Sequence, residues 1–317
     1  MKIALGIHRI GDRSIVNAYL LEDGGEVTII DAGVPGYYRD IPRELAAMGR
    51  TIADVRALIL THGHTDHIGF AERLRHDRQV PVSVHEADAA LARGEVPNPA
   101  KGYGRTKLGP FLGFLWFTLL RGGLRTPKLQ EVATFGDGAT LDVPGSPRVI
   151  LVPGHTPGSA ALHVPSWGAL FVGDAFATYA VTTGARGPQV APFTADAAEA
   201  VASLARLEEI SADLVLPGHG EGRTSALAKT GTTHLSQRRL APTCKNRRER
   251  RMGATSPPKL PDPELVEQEP PLRVALVVAH ALRDQIDTHR VHQEHPRSEV
   301  DEPVLDLGPE LERPRRI

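Results

Sequence analysis

Residues 61–67 read Thr61-His62-Gly63-His64-Thr65-Asp66-His67, three imidazoles and a carboxylate inside one short turn. Neutral imidazole nitrogen and carboxylate oxygen are favoured ligands of zinc and similar divalent ions. In extended chain, residues two apart project from the same side, so His62 and His64 can grip one ion. A turn after Thr65 aims Asp66 and His67 at a second. A polar loop of capping residues is the bland alternative, and a lone histidine would be read that way. Four ligand-type residues this close together are a stronger signal than decoration gives.

Three more ligand-type residues each follow an apolar run and a glycine. His155 follows Arg148–Val152 and Gly154, Asp174 follows Leu170-Phe171-Val172 and Gly173, and His219 follows Leu214–Leu216 and Gly218. Glycine lets the backbone turn sharply beside a crowded centre. Singly, each is an ordinary turn. Jointly they repeat one pattern and complete a set of seven.

This ordered series resembles the metallo-β-lactamase superfamily of metal-dependent hydrolases, over roughly residues 1 to 225. The resemblance implies an α+β fold, the αβ/βα four-layer sandwich, with two mixed β-sheets flanked by helices and metals at one sheet edge. Carried over residue by residue, His62, His64 and His155 hold the first metal. Asp66, His67 and His219 hold the second, and Asp174 bridges both. Aspartate rather than cysteine at position 174 is similar to the glyoxalase II, lactonase and ribonuclease Z branches and departs from the true β-lactamases. His64 departs from the di-iron flavoprotein branch, where glutamate is common. Asp31, closing the run Val27–Ile30, is expected to support the metal loop by hydrogen bonding rather than to ligate. The implied cofactor is a pair of zinc ions, with iron or manganese as alternatives. The implied chemistry is attack of a metal-activated hydroxide, oriented by Asp66, on an ester, lactone or thioester carbonyl.

The elements that must position these residues follow from the pattern. Strands are expected over Asn17–Glu22 and Val27–Ile30, joined at Gly24-Gly25, and over Ala57–Leu60 and Pro81–Val84. A second series is expected over Ala139–Val143, Arg148–Val152, Ser159–Val164, Ala169–Val172 and Leu214–Leu216. Helices are expected over Pro42–Met48, Ile68–His76, Glu86–Arg93 and Ala195–Ile210, the last capped by Thr194. Two packed sheets with helices outside satisfy that order. Gly63 is expected to leave space beside the metal.

The segment 94–130 separates the two halves of the ligand set. It carries Lys101, Tyr103, Arg105 and Lys107, then Phe111, Leu112, Phe114, Leu115, Trp116, Phe117, Leu119 and Leu120. The sequence expectation is a helical lid over a substrate with an apolar portion, contacted by Phe114, Trp116 and Phe117; a homodimer interface and a helix simply packed on the body are the alternatives. Tyr179, five residues past Asp174, is a candidate to approach a carbonyl oxygen.

Composition bounds the rest. The chain has 317 residues, 24% of them charged, and a formal net charge of −1. That balance gives no general drive toward nucleic acid or an anionic membrane. The single cysteine, Cys244, excludes an internal disulfide framework and any cysteine-based metal cluster. The run 111–120 is about half the ~20 residues that a membrane span needs. The start Met1–Gly6 lacks a long apolar h-region, so a cytoplasmic location is the expectation. The hydrolase domain is expected over residues 1–230. Residues 231–317 hold 11 of the 26 prolines and are expected to be a mostly disordered tail. Its exceptions are one amphipathic stretch, Leu272 to Ile286, and the basic run Lys245 to Arg251. Competing functions are a phosphodiesterase or nuclease of the same superfamily, a mononuclear-iron sulfur dioxygenase and a non-catalytic metal-binding protein.

Overall fold

The computed structural model describes residues 1–11, 15–100 and 106–224. The tail from 231 onward, its amphipathic stretch and basic run, and Lys101, Tyr103 and Arg105 lie outside the described residues.

Seven strands form the first sheet, in sequential order: β1 (Lys2–Ala4), β2 (Ile7–Ile10), β3 (Ala18–Asp23), β4 (Glu26–Ile30), β5 (Val55–Ile59), β6 (Val82–His85) and β7 (Ala133–Phe135). The first four pair antiparallel, and β4 to β7 pair parallel. Helices carry the crossovers between the parallel strands: α1 (Ile41–Ala47) after β4, α2 (Ala71–Arg78) after β5, and α3 (Ala89–Ala92) and α4 (Leu108–Leu120) after β6. The second sheet contains β8 (Arg148–Leu151), β9 (Ala160–Val164), β10 (Ala169–Gly173), β13 (Leu214–Pro217) and β14 (Arg223–Thr224) in the order β14-β13-β10-β9-β8. A separate hairpin of β11 (Ala177–Tyr179) and β12 (Arg186–Gln189) follows β10, and α5 (Ala197–Ser203) precedes β13.

Strand alternation divides the apolar residues between faces. Ile7, Tyr19, Leu21, Ile30 and Ile59 of the first sheet meet Val149, Leu162, Phe171 and Leu216 of the second. The other face of the first sheet, including Leu20, Ile29 and Leu58, packs on Ile41, Leu45 and Leu74 from α1 and α2. The other face of the second, including Ile150, Leu170 and Val215, packs on Val201 and Leu204. The layers are therefore helix, sheet, sheet, helix, as the resemblance implies.

Several local expectations changed: α2 begins at Ala71 rather than Ile68, and the helix expected over Glu86–Arg93 is a 3-10 turn over Glu86–Asp88 followed by α3. Ala139–Val143 is no strand: only Thr140 bridges, to Arg148, because Pro144-Gly145 turns the chain immediately. The seventh strand of the first sheet comes instead from Ala133–Phe135, too short and too exposed to show periodicity. The expected long helix splits into α5 and a 3-10 turn over Leu204–Leu207. Its cap is Asp196, whose Oδ1 accepts from the Glu199 amide at 2.9 Å, and Thr194 is used elsewhere.

Candidate metal centre

All seven residues singled out by the sequence converge at the ends of β5, β10 and β13 and in the turn after β8. One donor atom each from His62, His64 and His155 lies within 4.8 Å of the others. The same holds for Asp66, His67 and His219, and for His62, His67 and Asp174, which link the two groups. His155 Nε2 and His219 Nε2 stand 3.3 and 3.2 Å from Asp174 Oδ2.

The backbone brings these loops together. Thr61, at the end of β5, accepts from Ala160 N at 2.9 Å, which joins the two sheets beside the histidine turn. Gly218 N donates to Gly173 O at 2.7 Å, so the Asp174 and His219 loops lie side by side. A Cβ on Gly218 would stand 2.3 Å from Asp174 Oδ1, so glycine there keeps the centre open. Gly63 works differently from expectation: its missing Cβ makes room for α3, with Ala92 N 3.0 Å from the built position, not for a metal.

Each imidazole is held by its outer nitrogen. His62 Nδ1 lies 3.1 Å from Thr61 Oγ1, whose proton goes to Asp31. His67 Nδ1 donates to Asp31 Oδ2 at 2.9 Å. His155 Nδ1 lies 2.9 Å from Thr194 Oγ1, which donates to Ala191 O at 2.7 Å and so must accept from the ring. His219 Nδ1 donates to Ile15 O. His64 is reversed: its Nε2 meets Asn98 Oδ1 at 3.1 Å, leaving Nδ1 facing inward. Carbonyl and carboxylate acceptors, and a hydroxyl whose proton is already committed, put the ring proton outside and the lone pair inside.

Four of the inner atoms make no hydrogen bond. His62 Nε2, His67 Nε2, His155 Nε2 and Asp174 Oδ1 are buried without a hydrogen bond. Orphaned buried polar atoms are costly unless something meets them. Four converging on one point, all hard or borderline donors, fit a divalent cation pair.

Electrostatics separates the two triads when no ion is bound. Burial, reinforced by the neighbouring imidazoles, holds His62 well below the ordinary histidine range. Burial also lowers His64, and pushes His155 down to about 3. Burial opposes charge on His67 too, but Asp31 and Asp174 outweigh it and push His67 up to about 9. His219 is likewise raised against burial by Asp174 and Asp66. Both carboxylates, although buried, are held below the usual range by His219 and His67. Asp66 is the most open of the seven, its side chain 22% exposed.

Asp31 gathers several of these hydrogen bonds. Besides His67 and the Thr61 hydroxyl, it accepts from Thr61 N at 2.8 Å. Its φ is +60°, a conformation that a non-glycine residue keeps only where its surroundings enforce it. Three supporting residues were not anticipated. Asp88, fully buried, accepts from Gly63 N at 2.8 Å, Gly158 N at 2.7 Å and Thr156 Oγ1 at 2.7 Å. Asn98 and Thr194 fix His64 and His155. The one sequence signal for Asp88, a carboxylate three residues beyond the buried strand β6, is masked by its place before a helix, where it reads as a cap.

The expected substrate contacts do not form one wall. Phe114 packs on the first core and lies 6.4 Å from the Phe193 ring. Phe117 packs on the same core beside Tyr37, at 6.2 Å. Trp116 faces solvent, 62% exposed, and does not join them. Tyr179 sits in the β11–β12 hairpin with the Arg186 guanidinium 5.3 Å from its ring centre.

A family model of the metallo-β-lactamase superfamily matches residues 11–219. Among curated relatives, the probable metallo-hydrolase YflN of Bacillus subtilis strain 168 is 28% identical over 252 residues, covering 74% of this chain and 91% of that protein. The uncharacterized protein YobT of the same organism is 30% identical over 171 residues, 51% of this chain and 62% of YobT. Among solved structures, a motif mutant of a metallo-β-lactamase from Cronobacter sakazakii aligns with a TM-score of 0.56 at 19% identity, covering 92% of this chain and 97% of that one. At that identity the likeness speaks for the fold.

Proposed function

The chain belongs to the metallo-β-lactamase superfamily, and on that premise we propose that it is a dinuclear zinc hydrolase of a small-molecule ester, lactone or thioester. The observation that carries the reading is the set of four buried donor atoms without a hydrogen bond on His62, His67, His155 and Asp174. His62, His64 and His155 would hold one ion, Asp66, His67 and His219 the other, and Asp174 both. The nitrogen and oxygen donors also accept iron or manganese, so zinc is the choice of chemistry rather than of necessity.

When bound, a divalent pair supplies Lewis acidity, lowering the pKa of water from about 15.7 toward ~7 and polarising a carbonyl oxygen. Asp66 is held ionised by His219 and His67 and is the group of the seven most open to solvent. In this reading its carboxylate orients the attacking water. His219 Nε2, 3.4 Å from Asp66 Oδ2, keeps that carboxylate turned inward. Attack breaks the acyl C–O or C–S bond, and the leaving alkoxide or thiolate takes up the proton.

An apolar portion of the substrate is suggested by Phe114, whose ring lies 6.4 Å from that of Phe193. Phe193 has φ +65° and directly precedes Thr194, the residue that fixes His155. The test is a hydrolysis panel with the zinc-loaded full chain: lactones and aryl esters of rising acyl length, a glutathione thioester and a phosphodiester. Turnover of carbonyl substrates that improves with acyl length supports the reading. Turnover of the phosphodiester alone would replace it with the nuclease branch.

A further inference from the structure

Helix α4 turns a row of large apolar side chains to solvent. Leu108, Leu112, Leu115, Trp116, Leu119 and Leu120 fall at i, i+4, i+7, i+8, i+11 and i+12, one face of a helix. All six are exposed, Leu108 by 75%, and Leu124 just beyond the helix extends the patch. The opposite face, through Phe114 and Phe117, is packed on the body. The helix is thus anchored, and its outer leucines are not core awaiting a neighbour in the same layer. A contiguous apolar patch of this kind marks an interaction surface.

Charge says what it meets. Residues 96–130 carry six Lys and Arg and no Asp or Glu, in a chain whose net charge is −1. Lys107 is exposed immediately before the helix and Arg125 is exposed shortly after it, so both ends of the patch are cationic. Thirteen residues span about 20 Å, short of the ~30 Å hydrocarbon core, so the helix can lie in a bilayer surface but not cross it. Among the described residues no helix is long and apolar enough to cross. A Leu-rich face with a tryptophan and cationic ends is the composition of an element that rests at the interface of an anionic bilayer.

We propose that the outer face of α4 docks this protein on an anionic lipid bilayer, its leucines and Trp116 entering the acyl boundary and Lys107 and Arg125 meeting lipid phosphates. A second copy on the same face would set cation-ended helix against cation-ended helix in either direction, which charge disfavours. Docking would also bring the segments bonded to both ends of α4 to the bilayer. Lys107 N donates to Thr182 O at 2.9 Å, in the β11–β12 turn, and Arg121 O accepts from Gly36 N at 2.8 Å, a few residues past Asp31. The inference stands apart from the reaction and needs no turnover to be tested.

The experiment is co-sedimentation of the full chain with phosphatidylcholine vesicles, with and without phosphatidylglycerol, at low and high salt. Binding should require the anionic lipid, weaken with salt, and fall by more than about tenfold in the double variant Leu112→Glu/Leu119→Glu, whose positions are exposed. Quenching of Trp116 by brominated acyl chains, in a chain with Trp167→Phe, gives a readout without touching α4. No sedimentation and no quenching with anionic vesicles overturns the proposal. So does a dimer in solution that the leucine variant dissociates, since a second copy would then own the face.

Discussion

The Thr156 hydroxyl donates to Asp88 Oδ2 at 2.7 Å, across 68 residues of chain. Thr156 follows His155, and the same carboxylate also holds the amide of Gly63, between His62 and His64. One buried group therefore ties together the two loops that supply the first triad. Asp88→Asn keeps the shape but sets an amide NH2 against one of these donors, leaving it unpaired at about 1–3 kcal/mol. We expect a lower melting temperature and, separately, metal affinity at the first triad reduced about 10–100-fold by chelator competition. A lower melting temperature with unchanged affinity would make Asp88 a fold residue only.

Asp31 offers a cleaner separation of charge from backbone. Asparagine tolerates the left-handed region at least as well as aspartate does, so Asp31→Asn should leave φ near +60° undisturbed. The variant loses the charge that raises His67 and an acceptor for its Nδ1 proton. Affinity for the second ion should fall about 10–100-fold while the first is held more nearly as before. The measurement is sequential zinc titration of the metal-free chain; equal weakening of both steps would contradict the assignment.

Thr194 can be probed with its own rescue. Thr194→Val removes the acceptor of the His155 Nδ1 proton and frees the ring to turn. Thr194→Ser restores it. Zinc affinity should drop in the valine variant and return in the serine variant. Loss in both would point to the methyl group's packing instead.

The two triads should differ in the protons they surrender. His67 is raised to about 9 and His219 is raised as well, so both are protonated at neutral pH when no ion is bound. An ion at Asp66, His67 and His219 must displace those protons, and its affinity weakens as pH falls below about 9. His62, His64 and His155 are lowered and already neutral at pH 7, so an ion there displaces almost none. Calorimetric titration in two buffers of different ionisation enthalpy should show proton release concentrated in one binding step. Equal release in both steps would mean that the triads share their protons.

The seven candidate ligands were legible because each stands directly beyond an apolar strand, where topology has to bring strand ends to one edge. His62 to His67 follow β5, Asp174 follows β10 and His219 follows β13. Asp31 was legible for the same reason, at the end of β4. Asp88, Asn98 and Thr194 were not, because a lone aspartate, asparagine or threonine before a helix or in a loop reads as a cap, and the partners that matter lie 25 to 70 residues away. Thr194 shows the error directly: read as a helix cap, it holds a histidine instead. The strand at Ala133–Phe135 escaped because two of its three residues face solvent and give no apolar pattern. The Phe114, Trp116 and Phe117 grouping failed for Trp116 because adjacency in sequence was taken for adjacency in space, whereas a helix turns neighbours to different faces.

The central claim is that His62, His64, Asp66, His67, His155, Asp174 and His219 hold two ions that hydrolyse a carbonyl substrate. The most direct measurement is metal content per chain by mass spectrometry after zinc loading, for the unmodified chain and for Asp174→Ala, read beside ester and lactone hydrolysis. The account predicts two zinc ions in the unmodified chain, a loss of bound zinc in the variant, and turnover that falls with it by several orders of magnitude. Full turnover with a single ion, or unchanged metal content and activity in Asp174→Ala, would contradict it.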